Sequence, residues 1–256
     1  MRTINKILIV LGATLLLSCK SSNYGVPYKV AYVDGSFVEM TSTYGEVASR
    51  EIKSLVDTYK SELDEEMSEV IGCSSQTMYY GRPESLLTNL TSDVMKAYGD
   101  EHLEGGADMG VMNVHGHRAV MPKGEIKVGN LYEIYSFDNT ITFLELKGVD
   151  VKKMFDAYAR IGGAGISGNV KLVVKSRKVE SVLIDGKAID DNKIYKIVTL
   201  DYLADGNDNM QAFKNAVSAD NTGVTLRDIM IDWVRQRTRE GECVESRLDG
   251  RIVIKD

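Results

Sequence analysis

The sequence predicts an α+β domain, a mixed β-sheet with packed helices, behind a short export signal. Two observations predict this fold class. Apolar and charged residues make up 43% and 27% of the 256 residues, fractions that are typical of folded globular proteins. Strand-like and helical apolar runs also alternate along most of the chain without a regular repeat. After residue 19 the chain is long enough for one sizeable core or for two small lobes.

Residues 1–18 are predicted to be a lipoprotein signal peptide. An apolar run over residues 7–17 follows a basic start, and it is far shorter than the roughly 20 residues of a membrane-spanning helix. The run ends in Leu-Leu-Ser-Cys, which resembles the lipobox of bacterial lipoprotein signals. That resemblance implies cleavage before Cys19 and acylation of its thiol. The alternative is a plain signal peptide with an incidental cysteine.

This signal gives the expected organisation and location of the protein. Residues 19–27 are small and polar at their start and are expected to form a tether, followed by one domain over residues 28–256. We expect lipid anchoring to the bacterial cell envelope, on its periplasmic or cell-surface face. The other two cysteines, Cys73 and Cys243, either pair in this oxidising environment or stay as separate buried thiols.

The first half of the domain is predicted to start with a hairpin and two helices. Residues 28–40 read as two short strands around the turn signal Asp34-Gly35. Apolar residues at three- and four-residue intervals over residues 52–70 indicate a long helix, with Gly72 as its end. A second helix is expected from about Ser85 to Tyr98.

The second half contains the remaining elements. Strands are expected over residues 107–114, 141–146, 170–174, 179–184, 194–199 and 252–254, and a helix over residues 149–159. The last helix is marked by Thr225 and Asp228 at capping positions. One apolar face then follows on it: Leu226, Ile229, Met230, Trp233 and Val234.

Three loops after or before these strands carry residues suited to ligand binding. Residues 113–118 bring an amide, a glycine and an arginine, which suit an anion because glycine permits close approach and guanidinium matches phosphate or carboxylate oxygens. Residues 136–140 and 201–208 each place an aromatic ring in a loop, where it can stack on a flat ligand. The net charge of −6 argues against a nucleic acid polymer as the partner.

The order of these motifs resembles the C-terminal, substrate-binding domain of the 5'-nucleotidase/UDP-sugar hydrolase family, over roughly residues 80–256. The family patterns are E-S-x-L-x-N-L, N-G-G-x-x-R, P-F-x-N-T and D-[FY]-L-A-x-G-G-D-G, with a connector G-x-I-x-x-G-D-L-Y between the second and the third. Here they correspond to residues 84–90, 113–118, 137–140, 201–208 and 124–132. We therefore expect a fold like that of this family's C-terminal domain.

The resemblance implies roles for individual residues. Phe137 and Tyr202 would clamp the base of a nucleoside or nucleotide. Asn113 and Arg118, on the loop with Gly116, would face its phosphate or sugar. Asp208 would accept hydrogen bonds from the ribose hydroxyls. Arg82 is the candidate for a further arginine of the family that lies just before the first motif.

Some positions depart from the family pattern. Val114 and His115 replace two glycines and are expected to crowd the loop that approaches the ligand. Asn207 also replaces a glycine, and asparagine tolerates a left-handed backbone better than most residues. Asp138 would place a negative charge near any phosphate.

Family enzymes hydrolyse phosphate esters at a two-metal site in an N-terminal metallophosphatase domain, which needs a cluster of histidines and carboxylates. This chain has three histidines, at 102, 115 and 117, and none before Arg82, where the segment is also too short for that domain. The pair His115 and His117 is poorly spaced for one metal, because alternate residues of an extended segment point to opposite faces. We therefore expect no cofactor on this chain and divalent metals on a partner phosphatase.

Three functions follow from this comparison with the family. The first is a nucleotide- or nucleoside-recognition domain that works with a separately encoded metallophosphatase in nucleotide catabolism. The second is a complete 5'-nucleotidase-like hydrolase with a catalytic site that the sequence does not reveal. The third is a binding lipoprotein without enzymatic activity.

Overall fold

The computed structural model describes residues 32–39, 41 and 50–255. The predicted signal peptide, Cys19 and the tether lie outside the described residues. The chain divides into two units at residues 50 and 51, and the second, Glu51–Asp256, contains the sheets and helices of the domain. Residues 32–39 are exposed and have no strand, so the predicted hairpin is wrong for this part of its range. Within the described part of the chain, no helix is both long and apolar enough to cross a membrane.

The described helices and strands are as follows. The helices are α1 (Arg50–Ser68), α2 (Leu86–His102), α3 (Val128–Ile134), α4 (Gly148–Ile161), α5 (Asp201–Ala204) and α6 (Leu226–Arg239). The strands are β1 (Val70–Ser74), β2 (Met109–Met112), β3 (Gly124–Lys127), β4 (Thr140–Lys147), β5 (Gly165–Ile166), β6 (Val170–Lys175), β7 (Lys178–Ile184), β8 (Lys187–Ala188), β9 (Ile194–Leu200), β10 (Ser218–Thr225) and β11 (Ile252–Lys255).

A five-stranded sheet forms the centre of the domain, in the order β10-β4-β9-β2-β5. Strand β4 runs antiparallel to both β10 and β9, while β2 runs parallel to β9 and antiparallel to β5. The other described strands form a four-stranded sheet in the order β11-β6-β7-β8 and the antiparallel pair β1-β3. The sheets mix both strand orientations and pack against helices, which confirms the predicted α+β class.

Helix α2 packs directly on the central sheet. A capping box fixes the residue at which it begins, and a glycine of β2 lets the helix lie close to the sheet. Ser85 caps it, accepting a hydrogen bond from the backbone N–H of Thr88, whose side chain in turn accepts one from the backbone of Ser85. Gly110 on β2 has no side chain, and a Cβ there would collide with the backbone of Ser92 and Lys96. The predicted capping of the last helix by Thr225 is confirmed, since its hydroxyl accepts from the N–H of Asp228.

The prediction that the first long helix extends to Gly72 is wrong. Helix α1 ends at Ser68, and Gly72 lies in β1, opposite Ile126 of β3. A Cβ at Gly72 would lie 2.5 Å from Thr238 Oγ1 and 2.7 Å from Val234 Cγ1, so this glycine lets the β1-β3 pair pack against α6. The glycine therefore serves packing between elements rather than the end of a helix.

Strand β10 and helix α3 are two further elements that were not predicted. Strand β10, with the sequence SADNTGVT, is a largely exposed edge strand paired with β4. Helix α3 lies within the segment that the sequence shows only as a connector between motifs. Strand β10 has no apolar alternation and depends on pairing with β4, whereas α3 buries Val128, Leu131 and Ile134 at three-residue intervals in a run of only seven residues.

A disulfide bond joins Cys73 of β1 to Cys243, with Cα atoms 4.8 Å apart. It settles the alternative that the sequence leaves open in favour of pairing. The bond closes a loop of 170 residues and holds the segment after α6 against β1, where the N–H of Val244 also donates to the carbonyl of Cys73 over 2.7 Å.

Candidate functional site

The three predicted loops meet at one edge of the central sheet. Strands β2 and β9 are parallel neighbours, so the loops that begin at residues 113 and 201 leave the sheet at the same edge. Strand β4 is antiparallel to β9, with Ile141 opposite Leu200, so residues 137–140 enter the sheet there too. The strand order therefore brings together motifs that are up to 95 residues apart in sequence.

The meeting loops enclose a cleft of about 290 Å³. Six of the seven predicted ligand-binding residues line it together with two neighbours: Asn113, His115, Gly116, Arg118, Phe137, Asn139, Tyr202 and Asp208. The seventh, Arg82, lines an adjoining chamber of about 130 Å³ that shares Asn113, His115 and Asp208 with the cleft. The structure thus brings all seven predicted positions into one continuous region.

Asp208 is the centre of the hydrogen bonding in this cleft. The Nδ2 of Asn113 donates to its Oδ2 over 2.6 Å, and the hydroxyl of Tyr202 donates to its Oδ1 over 3.2 Å. The negative charge of Asp208, and then its hydrogen bond, raise the pKa of Tyr202, because an acceptor carboxylate opposes loss of the phenolic proton. Asp208 and Asn209 carry the left-handed backbone, with φ of 51° and 67°. Asn207 is not among the residues with a left-handed backbone, so the tolerance of asparagine for that conformation is not used there.

The two aromatic rings border the cleft and remain partly exposed. Phe137 is 49% exposed and Tyr202 is 40% exposed, although large aromatic side chains normally bury most of their area. Neither ring fills the core. Both are therefore free to stack on a flat ligand that enters between the loops.

Two arginines of this region, Arg118 and Arg82, make no ion pair with a carboxylate of the described residues. The guanidinium of Arg118 lies 5.7 Å from the centre of the Phe137 ring. Arg82 donates from Nε to the carbonyl of Gly163 over 2.9 Å, and its Nη1 lies 3.1 Å from Nε2 of His115, which must be unprotonated to accept. Among the ion pairs of the described residues, neither arginine has an acidic partner. An anionic ligand would supply one.

The departures from the family pattern have different consequences. Val114 is 2% exposed and points into the interior, so the prediction that it crowds the cleft is wrong. His115 does line the cleft. Asp138 is held by Arg227, with Nη2 and Oδ1 2.5 Å apart, and does not line the cleft, so its charge is compensated. Arg227, which the sequence did not single out, also lies over the ring of Tyr132 at 4.1 Å.

His117 is buried in the core, whereas His115 lines the cleft. Its ring is 1% exposed, with Nε2 2.9 Å from the hydroxyl of Thr91 and Nδ1 3.1 Å from the carbonyl of Val114. Burial lowers the pKa of His117 to about 4, against a smaller opposing effect of the Val114 carbonyl. The two rings therefore face different surroundings. No group of three or more metal-ligating side chains occurs among the described residues.

A larger groove of about 650 Å³ lies elsewhere, between α2, α6 and the segment before β11. Its floor is Arg251, whose side chain is 3% exposed and whose guanidinium binds Asp93 through two hydrogen bonds of 2.9 and 3.0 Å. Asp249 accepts two further hydrogen bonds from Arg251. Burial alone would raise the pKa of Asp249, but its hydrogen bonds to Arg251 and Lys171 hold it below the usual value. The charges of Arg251, Asp93 and Asp249 therefore compensate one another within the protein.

Residues 69–215 match the family described as 5'-nucleotidase, C-terminal domain, which is more than half of the chain. The chain belongs to this 5'-nucleotidase C-terminal domain family. Protein UshA of Yersinia enterocolitica is 29% identical over 137 residues, covering 52% of this chain and 25% of UshA. Protein UshA of Escherichia coli is 23% identical over 214 residues, covering 81% of this chain and 38% of UshA.

Solved structures show the same fold for this 5'-nucleotidase C-terminal domain. A 5'-nucleotidase precursor from Thermus thermophilus superimposes with a TM-score of 0.69 at 24% identity, covering 80% of this chain and 43% of that protein. The NAD nucleotidase of Haemophilus influenzae superimposes with a TM-score of 0.61 at 19% identity, covering 86% of this chain and 46% of that protein. The chain thus spans about a quarter to a half of the length of these relatives.

Proposed function

We propose that this domain recognises nucleosides and nucleotides, and that a separately encoded metallophosphatase hydrolyses the phosphate ester in nucleotide catabolism. One observation carries the proposal. The exposed rings of Phe137 and Tyr202 border the same cleft as Asp208 and the uncompensated Arg118. In a member of the 5'-nucleotidase C-terminal domain family, this combination matches the parts of a nucleotide: a flat base, a diol and an anion.

Each part of the ligand has a matching group in the cleft. A base between Phe137 and Tyr202 gains on the order of 1–3 kcal/mol from stacking on each ring. The Asp208 carboxylate accepts hydrogen bonds from the ribose hydroxyls. Arg118 and Arg82 attract the phosphate, since neither guanidinium pairs with a carboxylate among the described residues. His115 Nε2 already orders the Arg82 guanidinium before the ligand arrives.

The hydrolytic step is assigned to the partner because it needs metals that no described cluster of this chain would hold. Two divalent ions on the metallophosphatase would activate the attacking water and stabilise the leaving oxygen. The residues of this chain then position the substrate by its base and sugar. Acylation of Cys19 would keep the recognition domain at the cell envelope, on the periplasmic or surface face.

Two measurements on the purified chain test this division of roles. Phosphate release from adenosine monophosphate should be absent when the chain is assayed alone with Mg²⁺, Mn²⁺ or Zn²⁺. Adenosine and its monophosphate should nevertheless raise the melting temperature, because ligand at about 100 times Kd adds roughly 2.7 kcal/mol to stability. Metal-dependent turnover by the chain alone would contradict the role of the partner. A melting temperature that no nucleoside or nucleotide raises would contradict recognition itself.

A further inference from the structure

The loop between α3 and β4, residues 135–139, brings the ring of Phe137 to the cleft although it is neither helix nor strand. Phe137 is 49% exposed, and its ring pairs with no other aromatic ring of the described residues. The guanidinium of Arg118, which lies 5.7 Å from the ring centre, belongs to an exposed side chain. The core therefore does not fix this ring, and its position depends on what holds the loop.

The start of α6 contacts the loop on both sides of the ring. Nη1 of Arg227 donates to the carbonyl of Tyr135 over 3.0 Å, two residues before the ring. Nη2 of the same side chain lies 2.5 Å from Oδ1 of Asp138, the residue directly after it. The N–H of Leu226 also donates to the carbonyl of Asn139 over 2.9 Å. Two adjacent residues of α6 thus hold the loop before and after the ring.

The guanidinium of Arg227 is itself fixed in orientation. Its side chain is 11% exposed, and its Cζ lies 4.1 Å from the centre of the Tyr132 ring in α3. Because a guanidinium is planar and rigid, stacking on a ring also sets the directions of both Nη groups. Its Nε is buried and finds no acceptor among the described residues, so the orientation favours the two loop contacts over full hydrogen bonding. Arg227 therefore joins α3, α6 and the loop.

The ion pair of Arg227 and Asp138 is poorly placed to stabilise the fold. Asp138 is 80% exposed, and exposed ion pairs contribute little to the free energy of unfolding. Neither residue lines the cleft or the adjoining chamber, so neither is a ligand contact. The effect left to this pair is on the position of the residue between its contacts, which is Phe137.

A fixed loop matters for binding because stacking needs a narrow geometry. Aromatic rings attract one another when their centres lie about 4.5–7 Å apart and their planes are offset or tilted. A loop that moves freely has to be ordered when the ligand binds, and this ordering costs conformational entropy that weakens binding. A loop that is already held in the free protein avoids this cost.

We propose that Arg227 is a positioning residue for base recognition, which holds Phe137 at the cleft through Tyr135 and Asp138 without touching the ligand. The proposal rests on the proposed recognition of nucleosides. Its consequence is that the affinity for a nucleoside depends on a side chain outside the cleft. This dependence exists only while the ring of Phe137 is present.

A double-mutant cycle tests this dependence by calorimetric titration of adenosine into the full chain. Arg227→Gln should weaken adenosine binding about tenfold, because the loop then has to be ordered on binding. In the background of Phe137→Ala, the same change should have no further effect, since no ring is left to position. A residue that only supports the fold would weaken binding equally in both backgrounds.

Arg235→Gln is the matched control. Arg235 lies two turns further along α6, and its guanidinium binds Glu69 instead of the loop. This variant should keep the adenosine affinity of its background with and without the ring. Asp138→Ala removes only the exposed partner of Arg227 and should weaken adenosine binding about threefold without loss of stability. It tests the same contact if Arg227→Gln does not fold.

The position of the ring is also measurable without a ligand. Phe137→Trp in the background of Trp233→Phe places the single indole of the chain at the cleft. Its fluorescence anisotropy should fall when Arg227→Gln is added and should not change when Arg235→Gln is added. An anisotropy that Arg227→Gln leaves unchanged would overturn the positioning role, whatever the protein binds.

The outcomes separate this inference from the proposed function. Wild-type adenosine affinity in folded Arg227→Gln would overturn the positioning role while leaving nucleoside recognition intact. Equal weakening with and without the ring of Phe137 would also overturn it, since Arg227 would then act through another part of the protein. Binding of no nucleoside by the wild type would overturn the proposed function and with it the role in base recognition, whereas the anisotropy would still show whether Arg227 fixes the ring.

Discussion

The strand-end cleft and the groove between α2 and α6 differ in how their polar groups are satisfied. The groove is the larger, at about 650 Å³ against 290 Å³, and it also contains an aromatic side chain, Trp233. Its buried guanidinium, Arg251, binds Asp93 and Asp249. In the cleft, by contrast, Arg118 and the nearby Arg82 have no carboxylate partner among the described residues.

This difference indicates separate roles for the two regions. A groove whose charges neutralise one another gains little from a charged ligand, because the ligand would have to displace existing pairs. A cleft gains from each group that a ligand supplies when it has uncompensated arginines, exposed rings and, in Asn113, a buried amide oxygen that accepts no hydrogen bond from the described residues. We therefore assign stability to the groove and recognition to the cleft, although the groove is larger.

The largest expected effect is on the groove. Arg251→Met removes the guanidinium, which leaves Asp93 without its partner and Asp249 with Lys171 alone, so we expect a loss of about 3–5 kcal/mol in the free energy of unfolding. Urea unfolding measures this loss, and adenosine titration of the remaining folded protein should give the wild-type affinity. Unchanged stability with weakened adenosine binding would reverse the assignment of the two regions.

The disulfide is expected to have the next largest effect. The pair of changes Cys73→Ser and Cys243→Ser frees the segment that lines the groove from β1, and we expect a loss of about 2–4 kcal/mol. Thermal unfolding with and without reductant checks this value. The wild type should lose stability in reductant, whereas the double variant should not respond. A wild-type melting temperature that is insensitive to complete reduction would contradict a stabilising bond.

The third prediction concerns pH and the core behind the cleft. His117 has a pKa of about 4 in the folded protein and 6.5 when unfolded, so the unfolded chain binds the proton first as the pH falls. Stability is complete above pH 6.5 and falls toward pH 4, with a loss of about 2 kcal/mol between pH 8 and pH 5.

Urea unfolding at pH 8, 6.5 and 5 measures this dependence. His117→Gln carries no titrating group at this position, so its stability should change much less over the same range, although it starts lower at pH 8. A similar pH dependence in the variant and the wild type would show that another group is responsible.

Much of the fold was predictable because its core elements carry regular apolar patterns. Helix α6 and strands β4 and β9 were predicted to within a few residues, since the helix presents one apolar face and each strand is a short, largely apolar and buried run. Strand β10 and the role of Gly72 were not predictable, because they depend on partners distant in sequence. The order of the motifs predicted which residues lie together at the cleft, but it did not predict the contacts between their side chains.

The contacts within the cleft could not be predicted from the sequence either, because they too join residues that are distant along the chain. No local pattern indicates that Val114 turns inward while His115 lines the cleft, or that Arg227 compensates Asp138 from 89 residues away. Arg227 looks in the sequence like any charged residue in the first turn of a helix. Only its contacts on both sides of Phe137 distinguish it.

Titration of adenosine into the full chain, compared between three aromatic variants, tests whether the two exposed rings of the cleft bind the base. Phe137→Ala and Tyr202→Ala should each weaken binding by about 1–3 kcal/mol, the contribution of one stacked ring. Both side chains are exposed, so the free energy of unfolding should change by no more than about 0.5 kcal/mol. Trp233→Ala, which removes the ring from the larger groove, should leave adenosine affinity unchanged. Weakened binding in Trp233→Ala with wild-type binding in the other two variants would show that adenosine binds in the groove and not in the cleft.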